Sequence, residues 1–178
     1  MNTRHRVPGS CIAWALIVMS ASDCAVDTQR SEQVATRDAT AFEAHVQPYL
    51  EASCATLDCH GAQGRALRLY SELGLRAQAS LRATPIAAKH DPTPLTAAEL
   101  DANRLAFAGV ALATDVPSEC LALRKPLALA EGGIHHQGRV HWANRKDPGY
   151  LCLRGWLIGD IGQDLPSVCA QALEATQK

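Results

Sequence analysis

Two long stretches, residues 61–95 and 114–146, carry glycine or proline so often that neither can hold a long helix. Gly61, Gly64, Gly74, Pro85, Pro92 and Pro94 interrupt the first; Pro117, Pro126, Gly132, Gly133 and Gly138 interrupt the second. No run alternates apolar and polar residues as a half-buried strand does. The core must then come from helices lying between and around these loops. Loops longer than about fifteen residues are uncommon in compact domains unless they line a functional site.

Helical signals sit where the loops are not. Thr40 and Glu43 have capping-box spacing, and Phe42, Val46, Tyr49 and Leu50 form one apolar stripe behind them. Pro48 inside that stripe predicts a kink or a second start. A short helix is expected over 67–75, ended by Gly74. Thr96 and Glu99 repeat the capping box, and the Ala- and Leu-rich run from 97 to 113 predicts a long helix. Asp147-Pro148 is an N-cap followed by proline at the first helical position, with Tyr150, Leu153, Trp156 and Leu157 on the buried face and Gly159 as the stop. A final helix is expected over 166–176. The fold class is all-α.

The N-terminus reads as an export signal. Arg4, His5 and Arg6 precede the apolar run Cys11–Met19, and the small residues Ser20, Ala21 and Ser22 follow. That run is too short for a membrane span of about twenty helical residues. Residues 1–25 are assigned to the signal, 26–39 to a flexible linker and 40–178 to the folded domain. Cys24 offers a lipid anchor of the lipoprotein kind, although Asp23 before it is not the small uncharged residue such sites want; cleavage near Ala21 or Ser22 is the alternative. Either route places the mature chain outside the cytoplasm, in the periplasm or at the cell surface, where disulfides form. A net charge of −1 offers no electrostatic case for nucleic acid or an anionic membrane surface.

The densest chemistry is Cys54-Ala55-Thr56-Leu57-Asp58-Cys59-His60. Two thiols followed at once by histidine is the pattern of covalent haem c attachment. The thiols add to the two vinyl groups, and the histidine binds iron. Four residues separate these cysteines, where the familiar spacing has two. Positions five apart on a helix lie roughly 140° off one face, so Ala55 to Asp58 must bulge. A Cys54–Cys59 disulfide, or a zinc site of Cys54, Cys59, His60 and one further histidine, are the competing readings. No glycine elbow surrounds Ser53, Ser71 or Ser118, so no serine nucleophile stands out.

The segment FEAHVQPYLEASCATLDCHG resembles the opening of cytochrome c-like domains found in exported proteins of myxobacteria and planctomycetes. Phe42, Val46, Pro48, Leu50, Cys54, Cys59, His60 and Gly61 match its order. LRKPLALAEGGIHHQGRVHW resembles a later segment with Lys-Pro-Leu, a Gly-Gly pair and His-x-Gly, and DPGYLCLRGWLIGD resembles the closing helix, with Tyr150 and Trp156 matched. The likeness covers about residues 40 to 160 and departs in its four-residue gap. It implies a cytochrome c-like domain with long loops around one haem c, moving electrons.

Cytochromes c commonly place methionine opposite the histidine. The only methionines are Met1 and Met19, both in the export signal. The sixth ligand must then be another group, water, or nothing. Candidates are His45, His90, His135, His136 and His141; His136 fits the His-x-Gly element, with His135 next and His141 third. Of the remaining cysteines, a Cys120–Cys152 disulfide would close the His-rich loop, and Cys152–Cys169 is the alternative. The expected function is an exported monohaem cytochrome with an unidentified protein redox partner. The alternatives are a haem-free, disulfide-stabilised surface or structural binding module, and a haem sensor or peroxidase-like protein with an open iron.

Overall fold

A computed structural model describes residues 38–81, 93–111, 116–159 and 164–177. The expected signal, Cys24, most of the linker and His90 lie outside the described residues. Among those described there is no β-sheet, only two isolated bridges, and the all-helical expectation holds. No described helix is long and apolar enough to cross a membrane.

The chain enters through α1 (Ala39–Ala41), a turn of π-helix (Phe42–Val46) and α2 (Gln47–Ser53). The expected capping box at Thr40 and Glu43 is not what starts it. Asp38 is the N-cap, and its Oδ1 accepts from Ala41 N at 2.9 Å. Pro48 explains the π turn. A proline ring clashes with the carbonyl four residues back, and the wider turn shifts the bonding just before it, with Gln47 N donating to Phe42 O. Pro48 then occupies the first turn of α2, where its missing N–H leaves no bond unmade.

α3 (Ala97–Ala111) begins on the predicted box: Thr96 N donates to Glu99 Oε2 at 2.9 Å, and Glu99 N donates back to Thr96 Oγ1 at 3.3 Å. A single turn, α4 (Leu121–Arg124), precedes the second loop. α5 (Pro148–Ile158) is capped by Asp147 and stopped by Gly159, whose φ of 66° is the left-handed form that glycine adopts freely. α6 (Leu165–Ala175) closes the chain.

The expected helix over 67–75 is absent. Leu69 and Ser71 are buried while Arg68 is exposed, an alternation that belongs to a non-helical segment bonded by its neighbours.

Aromatic residues make up only 4 % of the chain, but six of the eight are buried together. Phe42 meets Trp156 at 5.0 Å between ring centres, and Phe107 meets Trp156 at 6.0 Å. Trp142 lies edge-on to Tyr150 at 5.6 Å and donates its Nε1–H to Tyr49 Oη at 2.8 Å. That junction requires glycine at 149, since a Cβ there would sit 2.0 Å from Tyr49 Oη.

The disulfide is Cys152–Cys169, joining α5 to α6, with Cα atoms 4.8 Å apart. This corrects the Cys120–Cys152 expectation: Cys120 is a buried free thiol. The His-rich loop is instead closed by main-chain bonds, Trp142 N to Pro126 O at 3.1 Å and Ala128 N to Trp142 O at 3.0 Å. Replacing Cys152 and Cys169 with alanine should cost about 3 kcal/mol, from the freedom a loop of this length regains when unfolded, read as a lower denaturant midpoint.

Candidate functional site

Cys54 is the C-cap of α2, its N–H bonded to Leu50 O at 2.8 Å. The chain then loops out as the four-residue gap requires. Cys59 N and Gly61 N both donate to Thr56 O, at 2.9 and 3.0 Å, and His60 N reaches back to Cys54 O at 2.9 Å. Leu57 stands 62 % exposed within the bulge, while Ala55 is buried. The Ala55 carbonyl accepts Ser71 Oγ at 2.9 Å. Gly61 passes so close that a Cβ would fall 2.0 Å from that same oxygen. The bulge is therefore a bonded turn, and it returns His60 to the end of the helix that carries Cys54.

Both thiols of the motif are free. Burial, aided by nearby Cys59, pushes the Cys54 thiol up to about 12, so it stays protonated at neutral pH. No Cys54–Cys59 disulfide is present.

His60 is half-buried, and its Nδ1 lies 2.9 Å from Leu67 O. A ring nitrogen opposite a carbonyl must carry the proton, which leaves Nε2 with its lone pair. Burial is the main cause drawing the His60 pKa below its usual range; the Leu67 bond opposes it, and His136, Arg65 and Lys125 add to the lowering. The ring is neutral and able to coordinate at neutral pH.

Of the three loop histidines, His136 comes to His60. Their ring centres are 6.0 Å apart with planes inclined by 27°. The two rings form a stacked pair. His136 Nδ1 is buried without a hydrogen-bond partner. His141 lies 6.4 Å from His136, and burial lowers its pKa, with Arg139, His136 and His60 contributing. His135 is exposed, and His45 sits on the π turn.

Among the described residues, no three His, Cys, Asp or Glu side chains gather closely enough to hold a metal ion alone. Cys54, Cys59 and His60 are not gathered as such a group. A donor set of two imidazoles and two free thiols suits a group that brings its own equatorial nitrogens, as haem does.

Sequence reasoning missed the supports of the site: Leu67 O, Ser71 and Asn103. Asn103 did leave a signal, a polar residue one turn from both Leu100 and Phe107 on α3. Comparison with protein-family models, curated proteins and solved structures finds no match to this chain.

Proposed function

We propose that the chain is an exported monohaem c-type cytochrome that passes single electrons between protein partners. Cys54 and Cys59 would hold the haem covalently, with His60 as proximal ligand and His136 as distal ligand. The observation that carries the reading is the His60 ring, its Nδ1–H committed to Leu67 O and its neighbour His136 at 6.0 Å. When bound, haem c supplies a one-electron couple. The Nδ1–H···O bond fixes the tautomer of His60 and raises its basicity as a ligand. Histidine in place of methionine opposite it favours a lower potential. The Cys152–Cys169 disulfide supports an oxidising, exported setting, periplasmic or at the cell surface, with Cys24 as a candidate lipid anchor.

One observation favours the haem-free binding module: the aromatic core closes on its own side chains and a disulfide. Co-expression with haem-attachment machinery separates the readings. A red product that keeps its colour after denaturation is expected, and a colourless one overturns the proposal. In the coloured protein, His136→Ala should bind carbon monoxide rapidly, and the parent should not. Equally fast binding by the parent would remove His136 from the iron and favour the open-iron sensor or peroxidase-like reading.

A further inference from the structure

Segment 67–70 lies beside His60 with no helix or sheet to support it. Two bonds tie it to the histidine: His60 Nδ1–H donates to Leu67 O at 2.9 Å, and Leu69 N donates to His60 O at 2.9 Å. Its far end, Tyr70, forms an isolated bridge with Leu75, and one side chain of α3 bonds both of its main-chain groups. Asn103, 1 % exposed, accepts from Tyr70 N at 2.7 Å through Oδ1 and donates to Tyr70 O at 2.8 Å through Nδ2. Its second Nδ2 proton goes to Gln47 Oε1 on α2 at 3.1 Å. The carboxamide thus does for Tyr70 what a neighbouring strand would do, satisfying its donor and its acceptor together.

We propose that Asn103 is a positioning residue for the His60 imidazole. By holding Tyr70, it holds the Leu67 carbonyl three residues away, and that carbonyl selects the Nδ1–H tautomer and the rotation of the ring. Gln47 keys the same carboxamide to the helix that ends in Cys54, so α2, α3 and the His60 acceptor share one buried joint. The consequence for a bound haem rests on the cytochrome reading; the hold on the ring does not.

The test uses the full chain with Asn103→Ala and Asn103→Ser, each with and without haem. Nitrogen-resolved spectra of the haem-free parent should show His60 as the Nδ1–H tautomer alone. Asn103→Ala should show a mixture of both tautomers, with the Trp142 Nε1–H signal, bonded to Tyr49, unmoved. Asn103→Ser should lie between. In the loaded protein a looser Nδ1–H bond weakens ligand basicity, so the potential should move positive in the same order. An unchanged tautomer and an unchanged potential in both variants overturn the inference. So does loss of the Trp142 signal in both, which would make Asn103 a general structural residue. A tautomer shift in a chain that never takes up haem would leave the positioning role standing and overturn the cytochrome reading instead.

Discussion

Replacing Cys54 and Cys59 together with alanine should leave a chain that folds and carries no covalent haem. The loss should be complete on a denaturing gel stained for haem, because a thioether to each vinyl group is the only covalent link the motif offers. Single replacements should each leave a one-thioether adduct, visible by mass spectrometry. The two positions are not equivalent. Cys54 caps α2, and burial holds its thiol protonated, whereas Cys59 lies beyond the bulge beside His60. Equal colour in the double variant and the parent would overturn covalent attachment. The haem-free module predicts that outcome, with both proteins colourless.

The parts of the fold that could be read along the chain are those whose causes are local. Asp147, Pro148 and Gly159 bound α5 within a dozen residues, and Thr96 and Glu99 start α3 by bonding each other. The bulge between the cysteines was forced by helical geometry and is present. Segment 67–75 failed as a helix because its conformation is set from outside. Asn103 holds Tyr70 from 33 positions away, and Glu51 on α2 accepts the N–H of Glu72. The disulfide failed for the same reason. Cys120 and Cys152 flank the loop in sequence, but α5 and α6 run against each other, and that packing presents Cys169 to Cys152. Within the site, flanking glycines point to His135 and His136 alike, the His-x-Gly element ranks His136 first, and the fold puts the His136 ring beside His60 and leaves His135 exposed.

Arg76→Ala should cost about 3–5 kcal/mol, because it leaves a carboxylate uncompensated in the interior. Arg76 and Glu99 are fully buried side chains paired at 2.9 Å. Arg76 Nε also donates to Glu99 Oε1 at 3.0 Å, and its other nitrogens reach Thr93 O and Pro94 O at 2.8 and 2.9 Å. Glu99 further accepts Ala77 N at 2.8 Å, so the pair fastens residues 76–77 to α3 one turn before Asn103 fastens Tyr70. Hydrogen bonding from Arg76 is the largest cause holding the Glu99 carboxyl down, at about 2 against the ordinary 4.5, with burial opposing it. A folded-state pKa below the unfolded one contributes stability that is present above about 4.5 and lost as pH falls towards 2. In Arg76→Ala the largest lowering cause is gone while burial and the bonds from Thr96 and Ala77 remain, so the folded-state pKa of Glu99 is less depressed than in the parent. The stability gap between parent and variant should then narrow on acidification from pH 7 to about pH 3, the parent losing more stability than the variant. Denaturant midpoints across that range check the sign. A gap that is constant with pH would mean that Glu99 does not sense Arg76 as a charge. The double variant Arg76→Met with Glu99→Gln should recover most of the loss at pH 7, since replacing both members of a buried pair removes the uncompensated charge that replacing one creates.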